Sequence, residues 1–500
     1  MTMIPVAHRD TGSSLAMRPH GRWLTARSPR AVATLDSVSE TRWVFVLLCC
    51  YIASQAYTVP LLPVGPWPVW PGLPDVVFGA LVTAWIVTKR PATELTGVRR
   101  TAVQVVFTLT LFCLASYLVS TILISNLETI SFGLNQQGPG FGLFEGFRMI
   151  QFLILFRIAA FVPYTPYRLA VLRKVVTGAF LFVCATVFLT FLDIVPSSAF
   201  SPLLPQDKEA AGAWWHFVHN FDGYGLGAIS YTHAYVAAQI TLFLGLALHL
   251  RGNRAWAGNG LLIACGLGAS LVSGSRAGFA GVLLVAGVFL LARSPRWLVN
   301  FVLFLALAGT VAFVYLSSQP PVEGESGPLG SILEHQVNAF QPYKAENLVG
   351  RADIWSGRID NLNDDPWRWF TGWGFGSSPD TGPALSPHML PLQIIMELGF
   401  GMLLPIGIVC GKLLRDIWHR ETIDRPFFWM TIALLLSSAT QETFYPVPST
   451  GYFLGFYLVA LTIVLRAGTD PVRSPAATPD PAHATTVVPT PRRLAPEFSA

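Results

Sequence analysis

About twelve apolar stretches, each roughly 18 to 24 residues long, dictate what this chain can fold into, because each can cross a bilayer of about 30 Å as a helix. In lipid every backbone polar group needs a partner within the protein, so helices are the form open to these stretches. They fall near 43–60, 72–88, 101–124, 144–163, 175–195, 227–250, 258–273, 277–292, 297–316, 388–411, 427–444 and 449–466. Between the ninth and tenth lies one polar loop, 317–387, of roughly 70 residues. Loops that long are uncommon in compact proteins and usually carry function.

Charge then orients the spans. Only 12% of the 500 residues are charged and 52% are hydrophobic, against about a quarter charged in soluble domains. The basic clusters are the arginine-rich N-terminus, Lys89/Arg90/Arg99/Arg100, Arg168/Arg173/Lys174, Arg251/Arg254, Arg293/Arg296 and Lys412/Arg415/Arg420/Arg425. All fall on one side of a twelve-span reading, and the positive-inside rule makes that side cytoplasmic. Both termini are then cytoplasmic, in a multi-pass membrane protein.

Three regions result. Residues 1–42 are a basic cytoplasmic segment, with the span from Trp43 acting as a signal anchor. Residues 43–466 form the membrane domain, and 467–500, rich in Pro, Ala and Thr, are expected to be disordered. The six cysteines lie inside spans and read as small apolar residues, not as a disulfide framework or metal site. The net charge of +5 does not suggest a nucleic-acid partner. We expect no metal and no cofactor: His216, His219 and His233 lack metal-ligand spacing, and Asp364-Asp365-Pro366 reads as a turn.

Residues that resist this pattern are the candidates for chemistry. Arg276 sits in the minimal hairpin Ser273-Gly274-Ser275-Arg276-Ala277-Gly278, on the outer face. It either snorkels to water or, with the Ser273 and Ser275 hydroxyls and the first N–H groups of the next span, forms an anion site. Arg351 opens an amphipathic helix in the long loop, whereas Arg358 and Arg368 read as local salt bridges, Arg358 with Asp353 or Asp360. His388 stands at the start of the tenth span, outside its regular helix, with Pro391 in the first turn. Its imidazole suits proton transfer near neutrality, although a histidine at a helix start also serves as a cap. Glu397, four residues beyond Gln393, lies about two turns into the membrane and requires a partner. Glu145 and Arg148 read as an i,i+3 pair, and Arg157 has no evident partner.

At these residues the chain resembles the O-antigen ligase and O-antigen polymerase superfamily of bacterial envelope proteins. Three elements carry the resemblance. Ser273-Gly274-Ser275-Arg276-Ala277-Gly278 is similar to the family's S-x-S-R-x-G element. Gly350-Arg351-Ala352-Asp353-Ile354-Trp355, then Pro366 and Gly372-Trp373-Gly374-Phe375-Gly376, follows G-R-x-x-x-W … P … G-x-G-x-G. His388-Met389-Leu390-Pro391-Leu392-Gln393 … Glu397-Leu398-Gly399 keeps the spacing H-N-x-x-L-Q-x-x-x-E-x-G, with Met389 where the family often has Asn.

The resemblance implies an all-α, GT-C-like membrane glycosyltransferase that works without metal. Its donor is an undecaprenyl-diphosphate-linked glycan, and its acceptor a glycan or lipid-linked glycan, at the periplasmic face of the bacterial inner membrane. Other polysaccharide assembly proteins are possible partners. Arg276 and Arg351, with Ser273 and Ser275, are then expected to bind the diphosphate. His388 is expected to act as general base, with Glu397 the second candidate. Ligase and polymerase share these motifs. A lipid-linked glycan flippase or polysaccharide transporter is the alternative, but it calls for midplane charges and related halves. A non-catalytic scaffold is a third reading.

Overall fold

The computed structural model describes residues 41–59, 61, 71–88, 98–123, 139–200, 203, 224–229, 233–252, 256–318, 349–377, 387–421, 425–446 and 451–465. The N-terminal segment, the C-terminal tail, most of the long loop, and His216 and His219 lie outside these residues.

Among the described residues the chain forms α-helices and no sheet. In order they are α1 (Arg42–Ser54), α2 (Leu73–Val87), α3 (Val98–Leu123), α4 (Pro139–Phe161), α5 (Pro166–Phe191), α6 (His233–Arg251), α7 (Trp256–Val272), α8 (Arg276–Arg293), α9 (Pro295–Ser318), α10 (Val349–Asp364), α11 (Arg368–Thr371), α12 (Leu390–Leu398), α13 (Phe400–Arg420), α14 (Pro426–Ser437) and α15 (Phe453–Val464). Among the described residues three apolar stretches qualify alone, by length and composition, as membrane spans: Arg100–Leu118, Pro166–Phe191 and His233–Arg251. The count of twelve crossings therefore rests on the sequence pattern and not on helix length.

α6 is the axis of the fold. It is apolar all round, and every residue from Tyr235 to Leu248 is buried, as expected of a helix enclosed by others. It packs against α5, α7, α8, α14 and α15. The Phe243 and Phe456 rings meet at 4.7 Å. A Cβ on Gly245 would come within 2.5 Å of Met430, so glycine lets α14 close on the axis.

Three expectations need correcting. The stretch 388–411 is not one helix: it breaks at Gly399 (φ 72°) into the short buried α12 and the longer α13. The eleventh span ends at Ser437, and 438–446 runs on as a turn segment. Arg148 does not pair with Glu145. It crosses to Asp75 on α2 (2.5 Å), with Gln151 at 2.7 Å and the Tyr452 ring 4.4 Å away. Asp75 also accepts from Gln151 Nε2, from the Gly72 N–H and from the Tyr452 hydroxyl. A buried guanidinium gains more from a carboxylate with further donors than from Glu145 on its own helix. Arg157 lies on the exposed face of α4.

The Asp75–Arg148 pair joins α2, α4 and the start of α15, so breaking one partner leaves the other buried and uncompensated. Arg148→Ala should lower stability by about 3 kcal/mol or more, read as a drop in the unfolding midpoint in detergent. An unchanged midpoint would show that the pair does not hold these helices together.

Candidate functional site

The hairpin between α7 and α8 is shaped from within. Ser275 caps α8, its Oγ accepting the Gly278 N–H at 3.2 Å. The Ser273 hydroxyl donates to the Ser270 carbonyl at 2.8 Å. Both serines are buried and used by the turn itself. Gly274 has φ 79°, and a Cβ there would lie 2.3 Å from the Tyr224 ring. That glycine lets Tyr224 lie over the hairpin, where it stacks with His233 (centroids 6.0 Å apart, planes at 28°). Arg276 follows, half-buried and near enough to both Tyr224 and Arg351 for their charges to act on it.

Arg351 reaches this hairpin from α10 in the long loop. Its Nη1 donates to the Thr440 carbonyl at 3.1 Å. One turn on, Trp355 Nε1 donates to the Pro387 carbonyl at 2.8 Å. Residues i and i+4 share a helix face, so the Gly-Arg-x-x-x-Trp spacing lets one face of α10 grip both the turn after α14 and Pro387, the residue before His388. His388 adopts φ 51°, and its Nδ1 lies 3.4 Å from Glu442 Oε1. Two residues on, the Leu390 N–H donates to the Ser438 carbonyl at 2.9 Å and pins this segment to the same turn. Ser275 and Gly278 line a small pocket with Gln441 and Thr443. Arg351 and His388 thus both meet residues 437–443, and Arg276 directly follows Ser275, which lines the pocket with them.

Glu397 stands apart from that group. It is fully buried and accepts three hydrogen bonds: from Gln393 Nε2 (2.6 Å), the Tyr445 hydroxyl (2.6 Å) and the Gly376 N–H (2.7 Å). Backbone bonds from Trp373 to Met396 (2.7 Å) and Gly374 to Glu397 (2.9 Å) lay the glycine-rich loop against α12. Burial and then Glu397 push the Tyr445 phenol well above its ordinary pKa, so it donates as a neutral hydroxyl.

Arg358 does not project into the loop's acidic surface. It is buried, with Asp353 and Asp360 exposed, and the carboxylate whose charge acts on it is Glu397. Burial lowers its pKa and Glu397 opposes that. Arg368 does make the local pair, with Asp365 at 3.1 Å. Met389, where the family often has Asn, packs with Leu362, Leu392, Ile395 and Met396.

Sequence reasoning missed Glu442, Tyr445 and Tyr224. The signal for the first was present: Gln441-Glu442-Thr443 interrupts an apolar run, yet it was absorbed into a span. Beneath the site, an apolar cavity of about 210 Å3 lies among α3, α12, α13, α14 and α15. Its lining includes Leu390, Tyr445 and Cys113, and follows α13 from Met402 to Leu414, about 18 Å of helix. Among the described residues no cluster of three or more His, Cys, Asp or Glu is arranged to hold a metal.

Glu397→Ala strands three donors at once. Amide exchange across 372–377 should speed up about tenfold or more, since a hydrogen bond to a charged group contributes about 1.5–3 kcal/mol. Glu397→Gln, which keeps an acceptor, should show less. Unaltered exchange in the alanine variant would mean that the carboxylate does not hold this loop.

A search of curated proteins found no match to the chain. The O-antigen ligase family model matches residues 261–406, a range that takes in Arg276, Arg351, His388 and Glu397 and stops short of Glu442 and Tyr445. That match, with the apolar helices, supports a membrane-embedded protein of ligase- or polymerase-type glycan transfer acting on a lipid-linked glycan. Over those residues the chain is similar to the O-antigen ligase family, which supports the resemblance to the O-antigen ligase and polymerase superfamily.

Proposed function

We propose that this protein transfers or polymerises an undecaprenyl-diphosphate-linked oligosaccharide onto a sugar hydroxyl at the periplasmic face of the inner membrane. The observation that supports this reading is that Arg351 and His388 both meet one turn, 437–443, while Arg276, next to Ser275 of the pocket that this turn lines, lies near Arg351. Diphosphate leaves readily once its charge is stabilised. Two guanidinium groups supply that stabilisation from fixed positions, without metal.

In the proposed step the acceptor hydroxyl attacks the anomeric carbon from the side opposite the diphosphate, inverting it. The sugar–phosphate bond breaks and its electron pair leaves on the diphosphate, beside Arg276 and Arg351. The hydroxyl proton passes to His388. With Nδ1 turned to Glu442, Nε2 is the nitrogen to take it, and Glu442 stabilises the imidazolium that forms. Ser273 and Ser275 then serve by shaping the hairpin under Arg276, and Glu397 by holding the glycine-rich loop. The apolar cavity below Leu390 and Tyr445 would accept a lipid chain while the head stays in water.

Arg276→Ala and Arg351→Ala should each cut glycan transfer about a hundredfold or more, and His388→Ala by a similar factor, with the protein still in the membrane. Normal product from all three would refute these roles. Arg276→Lys should also lose most activity if the diphosphate is gripped bidentately. Chelator should leave turnover unchanged; loss restored by a divalent ion would overturn the metal-free step. Purified lipid-linked repeat units supplied alone separate the two activities: longer chains mark a polymerase, and reaction only with a second acceptor marks a ligase.

A further inference from the structure

We infer that the turn carrying Trp367 and Phe370, although it belongs to the long polar loop, is embedded in the outer leaflet as a membrane foot. The argument begins with length. α13 presents the stripe Phe400, Leu404 and Ile408 outward, 43%, 69% and 65% exposed, spaced four apart on one face. Its first charged residue is Lys412. From Phe400 to Lys412 is about 18 Å of helix, whereas the hydrocarbon layer is about 30 Å thick. Snorkelling of Lys412 recovers only part of the difference.

α12 does not supply the remainder. Every residue of it from Leu392 to Leu398 is buried, and the chain turns sharply at Gly399. What continues the outward apolar surface beyond Phe400 is the loop itself. Trp369 stacks on Phe400, with centroids 5.4 Å apart and planes at 12°. Beside it Trp367 and Phe370 are 75% and 63% exposed. The junction is tight: a Cβ on Gly399 would come within 2.1 Å of the Phe370 carbonyl oxygen. These aromatic rings therefore cannot drift from the end of α13.

Large aromatic side chains at that height match the headgroup–hydrocarbon boundary, where Trp is favoured. The exposed neighbours Asp360 and Asp364 are acidic, so attraction to anionic lipid does not drive the contact; apolar insertion does. The foot continues through Gly372–Gly376 to Glu397, placing the loop that this carboxylate holds at the membrane surface. This inference depends on membrane embedding and not on the catalytic roles proposed above.

The test uses the full chain in nanodiscs of zwitterionic phosphatidylcholine, with acyl chains either plain or brominated. Subtracting the emission of Trp367→Phe from that of the unaltered protein isolates Trp367 among the 15 tryptophans. Bromine on the acyl chains should quench that difference signal at least twofold, with aqueous iodide having little effect. Adding anionic lipid should change neither result. Quenching by iodide and not by bromolipid would place Trp367 in water and overturn the inference, as would bromolipid quenching that requires anionic lipid. Phe370→Trp in the Trp367→Phe background gives a second reporter, expected to behave as Trp367 does; iodide access there would overturn the inference equally.

Discussion

A single buried carboxylate organises the end of this molecule that carries the long loop. Glu397 draws Gln393 from its own helix, Tyr445 from the turn after α14 and the Gly376 N–H from the long loop. The oxygens of a buried carboxylate need hydrogen-bond partners. The loop is therefore not an appendage to the helices: its glycine-rich end supplies one of the partners of a carboxylate that belongs to the bundle. Arg358, buried in α10, lies within reach of the same carboxylate.

From that anchor the candidate site follows by short steps. The glycine-rich loop is fixed against the C-terminal end of α12, and at the other end of that short helix the residue before the N-cap is His388. The same turn that supplies Tyr445 offers Glu442 to His388 and the Thr440 carbonyl to Arg351. α10 is held at two points of one face, Arg351 and Trp355, so its guanidinium is delivered and not merely tethered. Positioning of that kind is what a transfer reaction with a good leaving group requires, because stabilising charge depends on dipoles fixed in advance.

Deeper in the bundle, polar residues are treated by the same rule. Arg148 rejects the carboxylate nearest in sequence for one that already has three other donors. Gln239 on α6 finds Tyr235 one turn away, at 2.9 Å. Low dielectric makes each unmade bond costly, so spacing along one helix is a weak guide to pairing when another helix offers a better partner.

The sequence by itself determined that the chain is helical and membrane-embedded, because apolar runs of that length leave the backbone no other way to satisfy its hydrogen bonds. It also marked Arg276, Arg351, His388 and Glu397, since a charge or imidazole at the edge of such runs stands out locally. The break of 388–411 at Gly399 was not legible, because a helix-compatible apolar pattern does not reveal that a neighbouring backbone presses on one Cα. Nor were Glu442 and Tyr445, or the exchange of Arg148's partner. Those are long-range choices among partners, decided by which helices meet. Only the tertiary structure brings together groups from 276, 351, 388 and 442, and only there does the difference between a satisfied charge and a stranded one select the pairing.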